Sequence, residues 1–168
     1  MSFIRPFEKQ DTESILELIL HIQQNEFGVP VTRADQPDLE RISSYYQQGF
    51  GNFWVALENQ HEGEKIVGTI ALIDFAPRLG CIRKMFVQAD HRGEPHRLGQ
   101  RLLETLLEWS KAHSFEEIYL GTHSILKGSH RFYEKNGFAA VDPSSLPKTF
   151  PRMAVDDCFY HLNMLRLK

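Results

Sequence analysis

Between Leu98 and about His113 the apolar residues Leu98, Leu102, Leu103, Leu106, Leu107 and Trp109 recur at helical spacing over one broad face. A stripe that wide belongs against a sheet. The chain supplies strands on both sides of it. Upstream, Phe53 to Glu58 and Lys65 to Asp74 are rich in Val, Ile, Phe and Trp and are separated by a polar turn, Asn59 to Glu64, that contains Gly63. Cys81 to Val87 follows the Pro77 to Gly80 turn as a third strand. Downstream, Glu117 to Gly121 reads as a short buried strand, Leu126 to Asn136 as a helix with Gly137 at its C-cap, and Cys158 to Leu167 as a last strand. At the start of the chain, Phe3 to Phe7 is a first strand. Asp11 then stands at an N-cap before Ile15, Leu18, Ile19 and Ile22, a stripe that ends at Gly28 and Pro30, and a weaker second helix spans Asp38 to Gln48. This order predicts an α/β fold built on one mixed sheet. A length of 168 residues suits a single domain over 1–168, and no repeat, low-complexity stretch or linker divides it.

The charge balance removes several classes of function. With 19 basic and 22 acidic residues the net charge is -3, which argues against an extended nucleic-acid surface but leaves room for a local anion site. Cys81 and Cys158 form no Cys-x-x-Cys pair, and the histidines show no ligand spacing, so neither a disulfide scaffold nor a metal is expected. The first ten residues lack an apolar signal core, and no apolar run approaches the ~20 residues of a membrane span. A cytoplasmic protein with no membrane partner is the expectation.

The strongest chemical signal lies between Val87 and Leu98. A strand there runs into a loop holding Arg92, Gly93, His96 and Arg97, and then into a helix that begins near Leu98. Free N–H groups at a helix N-terminus favour an anion by up to about 2 kcal/mol, and Gly93 and Gly99 allow close approach to the backbone. The plainer reading is a polar loop with solvated arginines. Gln100 and Arg101 follow Gly99 where a P-loop needs Lys and Ser or Thr, and no Gly-x-Gly-x-x-Gly occurs, so a diphosphate would be held by another route.

Met85-Phe86-Val87, Arg92-Gly93 and Leu98-Gly99-Gln100 with Leu102-Leu103, followed by Arg131-Phe132-Tyr133-Glu134-Lys135-Asn136-Gly137-Phe138, together resemble the GNAT family of acyl-coenzyme A N-acyltransferases. The resemblance covers roughly Phe53 to Val141, and Tyr-Glu-Lys-Asn-Gly-Phe is its more diagnostic part. It implies a mostly antiparallel central sheet flanked by helices, acetyl-coenzyme A as co-substrate without a metal, and a small-molecule or peptide amine as acceptor; a homodimer is left open. It assigns coenzyme binding to Met85, Phe86, Val87, Arg92, Gly93, Arg97, Leu98, Gly99, Gln100 and Phe132. The family loop usually reads Arg/Gln-x-x-Gly-x-Gly/Ala. Aligning Arg92 with its arginine requires about two extra residues before Gly99, whereas the shorter alignment puts Glu94 first and Arg97 at the middle glycine. The longer loop is preferred because it keeps Arg92 and Gly93 as anion ligands.

Acyl transfer to an amine needs a free lone pair, yet an alkyl ammonium of pKa near 10.4 is only about 0.1% deprotonated at neutral pH. The departing thiolate also needs a proton, and Tyr133 holds the family's position for that acid. For the base, the family's usual glutamate at the start of the strand before the loop is replaced here by Cys81, more naturally a small buried hydrophobe. His123, just past the Glu117 to Gly121 strand, is the candidate for proton removal, with an exposed loop histidine as the equal alternative. Asp74 and Glu26 would line an acceptor pocket or simply be solvated. The irregular segments Glu26 to Asp38 and Ser144 to Phe159 carry Glu26, Asp35, Asp38, Asp156 and Asp157 against Arg33, Lys148 and Arg152, an excess that suits a cationic amine. Loss of the glutamate also keeps alive a catalytically silent acyl-coenzyme A sensor with the same fold.

Overall fold

A computed structural model describes residues 1–167. The strands are β1 Ser2–Pro6, β2 Asn52–Gln60, β3 Gly63–Ala76, β4 Leu79–Val87, β5 Glu117–Thr122, β6 Ala139–Val141 and β7 Cys158–Asn163; the helices are α1 Thr12–Leu20, α2 Ile42–Tyr46, α3 Leu98–Ala112 and α4 Lys127–Lys135. All strands join one sheet in the order β1-β2-β3-β4-β5-β7-β6. Every neighbouring pair is antiparallel except β4 and β5, whose parallel pairing requires a crossover that α3 provides. The sheet is therefore mixed and mostly antiparallel, as expected.

Alternation along β2 distributes the core. Phe53, Val55 and Leu57 face α1 and α2, where Ile15, Ile19, Ile42 and Tyr46 are buried. Trp54 and Ala56 face the opposite layer, where the predicted stripe of α3 supplies Leu98, Leu102, Leu103 and Leu106. A smaller third cluster, Cys81, Tyr119, Phe150 and Phe159, lies under the C-terminal segment.

Several local expectations are corrected. Asp11 stands at the N-cap of α1 without capping it: its carboxylate accepts from Arg5 at 2.8 and 3.0 Å and from the Glu8 backbone N–H at 2.8 Å, tying β1 to the helix entrance. The helix does end near Gly28, but its last turn, His21–Glu26, is π-helical. The second helix is two pieces, a 3-10 turn at Pro37–Glu40 and then α2, broken at Arg41. Residues 42–46 read Ile-Ser-Ser-Tyr-Tyr, none a strong helix former, so burial of Leu39, Ile42 and Tyr46 holds the segment instead of propensity. The final strand stops at Asn163, whose side chain accepts from the Leu165 N–H and turns the chain into a 3-10 turn at Met164–Arg166. The three residues of β6 are too few to show a pattern.

Candidate active site at the sheet fork

The parallel pairing of β4 with β5 runs only from Leu79 with Glu117 to Ile82 with Leu120. Beyond that point β4 stays paired to β3 through Phe86 and Val87, so from Arg83 to Val87 its other flank has no strand partner among the described residues. Five residues at ~3.3 Å each make an open edge about 16 Å long. An irregularity in the β3–β4 register between Thr69 and Ala71 and the left-handed backbone of Lys84, at φ 51°, bend the strand at this fork. Thr69 fixes the bend by donating its hydroxyl to the Lys84 carbonyl at 2.7 Å.

The far end of the open edge leads into the predicted anion loop. Gly93 has φ 65° and Arg97 φ 47°, and the Arg97 N–H donates to the Gly93 carbonyl at 2.7 Å. This closes a tight turn, and no side chain caps α3. The first intrahelical bond leaves from Arg101 N–H to Arg97, so the amides of Leu98, Gly99 and Gln100 stand at the helix mouth without a partner among the described residues. A Cβ on Gly99 would lie 3.4 Å from Met85 Cε and 3.9 Å from the Phe132 ring. The structure thus brings Met85, Phe132 and Gly99 together, and Gln100 exchanges side-chain hydrogen bonds of 2.8 and 3.1 Å with Asn136 to pin α3 to the end of α4. The exposed Arg97 side chain is 3.5 Å from Glu94. Arg92 is committed elsewhere: its Nε donates to the Val87 carbonyl at 2.8 Å, and its terminal nitrogens fork onto the Glu26 carboxylate, one of them at 2.9 Å. In this state the guanidinium braces the loop against the π-helical turn.

The closed end of the fork carries the titratable groups. Tyr133 is 5% exposed, wedged against Phe132, Phe138 and Tyr160, and its hydroxyl has no hydrogen-bond partner among the described residues. Burial pushes this phenol well above the ordinary tyrosine range, so it stays protonated at neutral pH. Cys81 is fully buried, and burial raises its thiol to about 12, which leaves neither a nucleophile nor a base. His123 lies one residue past β5; its Nδ1 accepts from the Ile125 N–H at 3.2 Å, and its carbonyl oxygen is 3.0 Å from His130 Nε2. Asp156, from the connection between β6 and β7, sits over Gly121, where an added Cβ would lie 2.8 Å from its Cγ. Burial lifts the Asp156 carboxyl, and the nearby Arg83 guanidinium opposes that lift.

The acids expected around an acceptor largely serve other purposes. Asp35 accepts from the Thr32 N–H and hydroxyl, each at 2.9 Å, Asp74 accepts from the Phe50 N–H at 3.0 Å, and Asp157 holds Ser124 at 2.7 and 2.9 Å. Arg33 is spent on Glu13 and Glu40. Two residues that the sequence did not single out support the fork. Lys84 Nζ donates to Gln36 Oε1 at 2.7 Å and lies 3.5 Å from Asp38 Oδ2, which also accepts the Tyr46 hydroxyl at 2.5 Å; Gln36 and Gln23 join their amides at 2.9 and 3.2 Å. The bend in β4 is thereby anchored to the helical layer through a buried polar network. Arg83 donates to the Pro151 carbonyl and ties the C-terminal segment to the same strand. No helix among the described residues is long and apolar enough to cross a membrane.

Comparison with known proteins agrees with this geometry. The chain is 36% identical to a GNAT-family acetyltransferase from Staphylococcus aureus Mu50, covering 98% of this chain and 99% of that one with a TM-score of 0.91. It is 32% identical to an acetyltransferase from Streptococcus agalactiae 2603, covering 96% and 98% with a TM-score of 0.89. Rat N-acetyltransferase 8F1 is 26% identical over 106 residues, 60% of this chain and 45% of that protein, so the chain spans about half the length of the curated relatives it matches. Residues 16–138, more than half of the chain, match the Acetyltransferase (GNAT) family, and with the forked sheet and the uncapped α3 this establishes that the chain belongs to the GNAT acetyltransferase family.

Proposed function

We propose that the protein transfers an acetyl group from acetyl-coenzyme A directly to a primary amine of a small molecule or peptide. The observation that carries this reading is the fork itself, an unpaired β4 edge from Arg83 to Val87 that leads into the loop before the uncapped α3. An extended pantetheine arm would add to that edge as a strand does, along Met85, Phe86 and Val87. Its diphosphate would meet the amides of Leu98, Gly99 and Gln100, with Gly93, Arg92 and Arg97 at the loop and Phe132 beside Gly99. Support comes also from the PaiA N-acetyltransferase of Thermoplasma acidophilum, a neighbour in fold solved with coenzyme A.

Acetyl-coenzyme A would supply the acyl group as a thioester. Tyr133, protonated at neutral pH like any tyrosine and held so more firmly by burial, is suited to give the departing sulfur its proton. A proton must also leave the amine, for which the sequence offered His123. No covalent enzyme intermediate is needed, since the Cys81 thiol stays protonated.

Calorimetric titration with coenzyme A should give heat, and thiol release should follow addition of an amine from a panel of polyamines, amino acids, aminoglycosides and peptide N-termini. Tyr133→Phe should lower turnover ~10²-fold or more with coenzyme affinity nearly unchanged. Absence of heat would overturn the reading. One observation favours a coenzyme-binding module that does not transfer: β4 presents the inert Cys81 where a carboxylate would serve. Tight coenzyme binding with silence across the panel would select that module.

A further inference from the structure

If acyl transfer is the reaction, a proton must leave the acceptor amine, and β4 offers no base for it while the one group the sequence offers, His123, has one ring nitrogen already engaged. Cys81 is locked as a thiol, and His123 has Nδ1 turned back onto its own loop. The carboxylates of the acceptor segments are also engaged: Glu26 with Arg92, Asp35 with Thr32, Asp38 with Tyr46 and Asp157 with Ser124. Asp156 has no side-chain partner of this kind among the described residues, only the Met153 backbone N–H of its own segment. It is half-buried, makes no ion pair among the described residues, and lies over Gly121, the first residue of β5 beyond the point where β4 separates. Only a glycine leaves room there for the carboxylate. The coenzyme sulfur would reach the same closed end of the fork, beside Tyr133.

We propose that the Asp156 carboxylate takes the proton from the acceptor's ammonium group, supplying from the β6–β7 connection the base that β4 lacks. This rests on the acyl-transfer reading. The protonated amine gives one proton to Asp156, and its freed lone pair forms the C–N bond as the C–S bond breaks. The second proton, shed as the amide forms, ends on the sulfur by way of the Tyr133 hydroxyl, and Asp156 returns its own to water. The charges around Asp156 suit a base. Arg83 and Lys84 on β4 and the Met153 backbone N–H and Arg152 on its own segment favour the anion, Asp157 opposes it, and Cys81 is neutral. Together with burial, these leave the carboxyl above the ordinary aspartate range, nearer the working pH of a base.

The test uses the full chain, acetyl-coenzyme A and whichever amine of the panel releases thiol fastest. Asp156→Asn should lower kcat by ~10²-fold or more and leave calorimetric coenzyme A affinity and thermal midpoint close to the parent. The kcat–pH profile should no longer level off once the carboxyl is ionised, and the residual rate should instead climb about tenfold per pH unit up to the amine pKa as free amine accumulates. Retention of the parent kcat and profile overturns the proposal, as does that change of profile in His123→Gln in its place. A second measurement needs no acceptor: in protein loaded with coenzyme A, the carboxyl ¹³C resonance that disappears in Asp156→Asn should titrate above the ordinary aspartate range, and titration within that range overturns the proposal. Failure of coenzyme A to bind would take down the acyl-transfer reading itself, whereas binding and turnover with an indifferent Asp156→Asn would remove only this assignment.

Discussion

Replacing Asp38 by Asn tests whether the bend in β4 depends on its buried anchor. The Lys84 and Asp38 side chains are 5% and 12% exposed and 3.5 Å apart, and the carboxylate also receives the Tyr46 hydroxyl. The substitution nearly preserves volume but leaves the Lys84 ammonium with the neutral Gln36 amide oxygen at 2.7 Å as its hydrogen-bond partner and only the less direct charge of Asp156 opposite it. Breaking a buried pair by removing one partner costs about 3–5 kcal/mol, because the remaining charge is uncompensated. For a domain of this size, with a urea m of about 2 kcal/mol per M, that is a fall of roughly 1.5–2.5 M in the unfolding midpoint at pH 7. The pH dependence carries the sharper test. Burial lowers the Lys84 pKa although Asp38 raises it, so the folded state sheds the proton before the unfolded state does and stability grows as pH rises between the two values. Without Asp38 the folded value falls further. The deficit of the variant should therefore shrink from pH 7 towards pH 10, where the ammonium is neutral in its buried site. A deficit below about 1 kcal/mol, or one constant over that range, would refute the claim that an uncompensated charge is what the variant suffers.

Two other predictions concern the anion loop. Arg92→Ala should weaken coenzyme A binding about tenfold, the loss of roughly one charge-assisted contact, without unfolding the protein; Glu26→Gln should tighten it by releasing the guanidinium, and calorimetry in which Glu26→Gln weakens binding would show that Arg92 only braces the loop. His91, 4% exposed and next to the loop, sits with Nδ1 2.7 Å from Asp90 and Nε2 3.1 Å from Glu58, the latter off hydrogen-bond direction. Burial opposes its charge, but Asp90 and Glu58 outweigh burial and hold the imidazolium above the ordinary histidine range, so its contribution is full below about pH 6.5 and lost as pH rises through the folded value. Urea melts should show the gap between the parent and His91→Gln widest near pH 6 and narrow by pH 9; a gap that does not change with pH would refute the charged state.

What the sequence displayed and what it hid divide along a physical line. The wide stripe of α3, the alternation in β2 and the glycines at 93 and 99 are local signals, because helix period, pleat and positive φ are set by neighbours a few residues apart. From them the sheet, the crossover and the mouth of α3 were legible. The pairings that give the fork its chemistry join residues far apart: Arg92 with Glu26, Lys84 with Gln36 and Asp38, and Asp156 over Gly121. No periodicity encodes them. Composition even misled, since counting acids in the irregular segments treated Asp35, Asp157 and Asp156 alike, when Asp35 is held within its own loop, Asp157 holds Ser124 in another, and Asp156 lies over Gly121. One signal did point to the hidden contact. Gly121 stands at the end of the apolar run and inside β5, one residue before its last, and a glycine inside a strand marks a site where another group must approach the backbone closely. The group that approaches is the carboxylate of Asp156, so the substitution Gly121→Ala, by forcing that carboxylate aside, should lower turnover along with Asp156→Asn while leaving the amides of Leu98, Gly99 and Gln100, at the other end of the open edge, undisturbed.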